Sequence, residues 1–163
     1  MTDLYDVLSR TDKPIVMYGM GNGADKILKV LSERGIAVSD FFASDGFVRG
    51  HFFHGKKVLT YAQVCEKYDD FIVLVAFGSS LEDVAENVRR IARERELYIP
   101  DVPVCGENIF DKSFYESNSG AIERARRCFA DERSCEVYDL IIEYKLTGRA
   151  DILEKSVDSD GGD

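Results

Sequence analysis

Residues Lys13 to Asp45, KPIVMYGMGNGADKILKVLSERGIAVSDFFASD, decide the fold. They read as strand, glycine turn, helix, strand. Ile15 to Tyr18 is a short apolar run with β-branched residues, suited to a strand buried on both faces. It runs into GMGNGA, where Gly19, Gly21 and Ala24 fit the spacing G-x-G-x-x-G/A and Gly23 is an additional glycine. Gly19 permits the tight turn, Gly21 lets a phosphate approach the backbone, and Ala24 lets helix and strand pack closely. The helix that follows aims unpaired N–H groups and the positive end of its dipole at an anion. Ile27, Leu28, Val30 and Leu31 form its apolar face, and Gly35 stands as its C′ residue. The next strand, roughly Ala37 to Ser44, delivers Asp45 about twenty residues past the glycines, where a dinucleotide fold sets a carboxylate against a ribose hydroxyl. The competing reading is a glycine-rich turn that has kept its fold and holds no ligand.

Working outward, Thr2 to Arg10 reads as a short amphipathic helix with Leu4, Tyr5, Val7 and Leu8 inward. After Asp45 the segment GFVRGHFFHGKKV reads as an irregular loop or small hairpin beside the carboxyl ends of the strands. Within it Arg49 is placed to meet a phosphate, and Phe52 and Phe53 are packing residues or an aromatic wall. His51 and His54 lack the cysteine or carboxylate partners of a metal site. Thr60 caps a helix carrying Tyr61, Val64, Cys65 and Tyr68 on one face. Phe71 to Phe77, FIVLVAF, is the most apolar stretch and reads as a central strand ending at Gly78 and Ser79. Ser79 or Ser80 caps the next helix, whose stripe is Leu81, Val84, Ala85, Val88, Ile91 and Ala92. A last strand lies within Leu97 to Val104, confined by Pro100 and Pro103.

Strands alternating with helices imply a parallel sheet. The expected fold is therefore α/β: a Rossmann-like three-layer domain over 1–116 with a mostly parallel sheet. A C-terminal helical segment over 117–155 follows, then a disordered acidic tail over 156–163. In the helical segment, Asp131 caps a helix bearing Val137, Leu140, Ile141 and Tyr144, which Gly148 ends. The expected ligand site is lined by Gly19, Met20, Gly21, Asn22, Gly23, Asp45, Arg49, Phe77, Gly78 and Ser79.

Charge and composition exclude some partners. The 163 residues carry a net charge of −9 with no basic block, which argues against nucleic acid and anionic membrane surfaces. The polar start and the lack of a long apolar run argue against a signal peptide or membrane span, so the expected location is cytoplasmic. Cys65, Cys105, Cys128 and Cys135 lack C-x-x-C spacing and read as reduced thiols. No Ser/His/Asp arrangement, G-x-S-x-G or P-loop lysine is present, so catalysis is not expected from this chain alone.

Three segments carry a resemblance. YGMGNGADKILKVLSERGI (18–36), FFASDGFVRG with HGKKVLTY (41–50 and 54–61) and DERSCEVYDLIIEYKLTG (131–148) resemble, in that order, the region ahead of the catalytic domain in bacterial FkbM-type S-adenosylmethionine-dependent methyltransferases. The likeness runs from about Lys13 to Leu153. It implies a nucleotide- or nucleotide-sugar-binding module followed by linker helices, with the methyl transfer performed by a following domain. The amino half is also loosely similar to the small nucleotide-sugar-binding domains that precede sugar acyltransferases. One departure stands out: such methyltransferases place an acidic residue just before the glycine motif, and here that residue is Tyr18. The candidate ligands are a nucleotide sugar, NAD(P) or S-adenosylmethionine. The alternatives are a methyltransferase site within this chain, or a structural, dimerising α/β domain with an empty cleft. The expected macromolecular partner is a following catalytic domain or a second copy held through the C-terminal helices.

Overall fold

The computed structural model describes residues 2–48, 50–78, 82–103 and 108–157, with residue 157 described by its backbone alone. The chain divides into two compact units, Leu8–Pro100 and a second made of Met1–Val7 with Asp101–Asp163. This division falls at Pro100, ahead of the expected boundary at 116, and assigns the first residues to the C-terminal unit.

Leu8–Pro100 is built on a four-stranded parallel sheet. Its strands are β1 (Ile15–Tyr18), β2 (Asp40–Phe42), β5 (Ile72–Val75) and β6 (Glu96–Tyr98), in the order β2-β1-β5-β6. All residues of β1, β2 and β5 are buried; β1 and β5 are the continuous apolar runs expected at the centre of a parallel sheet, while the edge strand β2 also buries Asp40. The chain winds one way from β1 to β2 and the other way from β1 to β5, so the direction reverses between β1 and β5.

Strand β2 is shorter than the expected Ala37–Ser44. Past Phe42 its bonding turns outward: Leu59 donates to the Phe41 carbonyl and Ala43 donates to that of Leu59, while Phe42 and Leu59 form an isolated parallel bridge. Strand β6 likewise ends at Tyr98, two residues before Pro100. Helix α2 (Asn22–Glu33) buries Ala24, Ile27, Val30 and Leu31. Helix α4 (Tyr61–Lys67) begins with a capping box in which Thr60 and Gln63 exchange bonds. Helix α5 (Glu82–Glu94) fully buries only Ile91, and Ala92, expected in its buried stripe, is exposed. The expected caps Ser79 and Ser80, and Leu81, lie outside the described residues.

Of the two readings of the segment after Asp45, loop or small hairpin, the described residues show a hairpin, preceded by a helical turn. Asp45–Val48 forms a single helical turn, α3, and Phe52–Phe53 (β3) pairs antiparallel with Lys56–Lys57 (β4). The tight turn between them sets His54 at φ 48° and Gly55 at φ 74°, the left-handed pair that a two-residue hairpin requires.

Helix α1 (Leu4–Arg10) crosses the division between the units. The C-terminal unit contains α6 (Lys112–Arg126), α7 (Glu132–Thr147) and α8 (Ala150–Val157). Helix α6 starts five residues before the expected start of the helical segment at 117, because Asp111 accepts a bond from the Phe114 amide at 2.9 Å and so caps it. Asp131 and Gly148, the latter at φ 64°, bound α7 as expected. Helix α6 buries none of its side chains and α7 only Leu146.

Candidate functional site

The glycine turn leaves the carboxyl end of β1, where the sheet direction reverses. Open parallel sheets bind ligands in such a crevice. Its glycines have three different tasks. Gly19, at φ 114°, donates its amide to the Phe42 carbonyl at 2.8 Å, so this N–H extends the sheet pairing. A Cβ placed on Gly19 would stand 2.7 Å from Cδ1 of Phe77, so the absent side chain makes room for a phenyl ring. Gly21, at φ 124°, occupies the N-cap of α2, and the space where its Cβ would lie is open. It brings no capping side chain, and the first bond into the helix runs from the Asp25 amide to its carbonyl. The amides of Asn22, Gly23 and Ala24 therefore precede the helical ladder at the positive end of the dipole. Gly23 is the tightest: a Cβ there would stand 2.3 Å from the carbonyl oxygen of Ala76. The close packing assigned from sequence to Ala24 is thus shared, with Ala24 fully buried and Gly23 meeting backbone.

Three aromatic rings gather at the start of the turn. The Tyr18 ring stacks on Phe42 at 4.5 Å between centroids and receives the edge of Phe77 at 4.8 Å. The hydroxyls of Tyr18 and Ser44 bond each other at 2.8 Å, tying the end of β1 to the chain just beyond β2. Sequence reasoning did not select Tyr18 or Ser44 as site residues. The signal was the hydroxyl at the last position of β1, where the resemblance calls for an acid.

Of the expected lining residues, Met20 is half-buried, and Gly21, Asn22 and Gly23 are exposed. Asp45 is exposed at the head of α3, directly after Ser44. Phe77 is half-buried and Gly78 exposed. Arg49 and Ser79 lie outside the described residues.

His54 Nε2 stands 2.6 Å from Asp25 Oδ1, and its ring packs edge-on against Phe53. Among the described residues, no three His, Cys, Asp or Glu side chains are grouped to hold a metal. A groove of about 670 Å³ runs beside α2, lined by Leu28, Ile36, Phe41, His54 and Lys56 among others. Its lining does not include the glycine turn.

At the start of β2, Asp40 is buried and accepts bonds from Lys67 Nζ at 2.7 Å and from the Tyr68 hydroxyl. Burial pushes its carboxyl up, but the bonds from Lys67 and Tyr68 outweigh that and hold it below the usual carboxylate range. This pair stands at the amino end of β2, away from the turn, and is structural.

The geometry of the mouth suits anion binding. Among the described site residues the hydroxyls that meet, those of Tyr18 and Ser44, bond each other, and no nucleophile is paired there with a base. Comparison of the chain with protein-family models, curated proteins and solved structures finds no match. Among the described residues no helix is long and apolar enough to cross a membrane.

Proposed function

We propose that Leu8–Pro100 is a Rossmann-like, three-layer nucleotide-binding domain whose ligand places a phosphate or equivalent group on the first turn of α2. One observation carries this reading: Gly21 holds the N-cap with φ 124°, no side chain and open space in front of it. A backbone that adopts such a conformation only as glycine, at the reversal point of a parallel sheet, is what close approach of an anion requires. In this reading Asp45, exposed after β2, receives a ribose hydroxyl. The favoured ligand is a nucleotide or nucleotide sugar, and NAD(P) and S-adenosylmethionine are the competing candidates.

In this proposal the domain serves a cytoplasmic FkbM-type methyltransferase, without catalysing methyl transfer itself. The order of the three sequence segments supports that assignment. The thinly buried helices α6 and α7 support a role as a connector to a following catalytic domain, or as a contact with a second copy. Titration calorimetry with nucleoside diphosphates, nucleotide sugars, NAD and S-adenosylmethionine tests the reading. Binding that a bulky residue at Gly21 abolishes supports it, and no binding at millimolar concentration overturns it.

A further inference from the structure

We propose that Phe77 closes the β5 side of the crevice, so that the site accepts a ligand with one nucleoside and rejects dinucleotides. This rests on the nucleotide-binding reading above and specifies its ligand class.

The crevice at the reversal point has two sides, one toward β2 and one toward β5. A dinucleotide lies across both, with its pyrophosphate at the turn between them. Here the two sides differ. At the turn Gly21 is open, and on the β2 side Ser44 is held by Tyr18 and Asp45 is exposed. On the β5 side the Phe77 ring lies against Gly19, in the space that the missing Cβ leaves. It is fixed there by its edge contact with Tyr18, which in turn is stacked on Phe42. The Gly19 amide is already spent on Phe42 and has no donor to offer a second phosphate. A ligand that enters from the β2 side thus reaches the amides of Asn22 to Ala24 and meets a phenyl ring beyond them. Phe77 acts as a steric stop, and the length of the ligand is what it reads.

The test compares the wild-type chain with Phe77→Ala and, to retain apolar volume, Phe77→Leu. Calorimetry first identifies which of ADP, GDP, UDP and CDP binds the wild type most tightly. The dinucleoside diphosphate built on that same nucleoside is then titrated. The proposal expects the longer ligand to bind the wild type at least tenfold more weakly. It expects Phe77→Ala to narrow that gap at least tenfold, and Phe77→Leu to fall between. Equal affinity of the wild type for both ligands, or a gap unchanged in two variants that fold, overturns the proposal and leaves the nucleotide-binding reading standing. Absence of binding by all four nucleoside diphosphates overturns this proposal, and absence of binding by nucleotide sugars, NAD and S-adenosylmethionine as well overturns the nucleotide-binding reading.

Discussion

Gly23, in the first turn of α2, lies against the backbone of Ala76, just past β5, so closely that a methyl group on it would stand 2.3 Å from the Ala76 carbonyl oxygen. Backbone cannot rotate aside as a side chain can. Gly23→Ala should therefore destabilise the fold by about 1–3 kcal/mol, although alanine in place of glycine ordinarily favours a helix by about 1 kcal/mol. Gly46→Ala is the control, since nothing lies near its Cβ direction. Urea unfolding of both variants should show a lower midpoint for the first and an unchanged or higher one for the second.

Asp40 sets an acid limit on stability. Its folded-state carboxyl lies below the ordinary range, so its contribution is present above the unfolded value near pH 4 and is lost as pH falls through the folded value. Asp40→Asn should cost about 1–3 kcal/mol at pH 7, because a buried site loses its charge-assisted bonds. Lys67→Met should cost less, as the lysine side chain is 54% exposed and solvent-screened. Denaturant melts between pH 3 and 7 check this: the difference between wild type and Asp40→Asn should shrink toward the acid end.

Tyr18 and Ser44 should be energetically coupled. Tyr18→Phe keeps the stacked ring and removes one hydroxyl, and Ser44→Ala removes its partner. Each should cost about 0.5–1.5 kcal/mol, and the double variant should cost less than the sum of the two. Chemical denaturation of the four proteins measures the coupling. Strict additivity would mean that the pair does not hold the mouth together.

Ligand binding should separate Gly21 from Asp45. Gly21→Val forces a branched residue to φ 124° and fills the space before α2. It should abolish nucleotide binding and cost about 1–3 kcal/mol of stability from backbone strain. Asp45→Asn changes an exposed side chain, so it should leave the melting temperature unchanged and weaken a ribose-bearing ligand by roughly tenfold, about 1.4 kcal/mol. Thermal unfolding with and without ligand distinguishes the two.

Elements whose cause is local were legible in the sequence. Ile15–Tyr18 and Ile72–Val75 are apolar runs that must be buried wherever they lie. Helix α7 is written in its cap Asp131, its apolar spacing and its terminal Gly148. Elements whose local signal is weak, or which depend on distant partners, were left open or missed. The pairing of Phe52 with Lys57 follows a turn whose first residue is His54, not the Asn, Asp or Gly that announces a hairpin. The early start of α6 rests on the Asp111 side chain, inside a segment whose aromatic and polar residues resemble a connector. Asp40 looked like one of many acids until Lys67 and Tyr68 enclosed it.

The same distinction governs the candidate site. The sequence by itself determined that glycines follow the first strand and that an acid follows the second, because spacing along a chain is a local property. Only the tertiary structure decided what each glycine is for: Gly19 yields to the ring of Phe77, Gly23 to the carbonyl of Ala76, and Gly21 to open space. A missing side chain acquires its meaning from the atoms that occupy its place, and here those atoms come from β5 and its end, across the sheet.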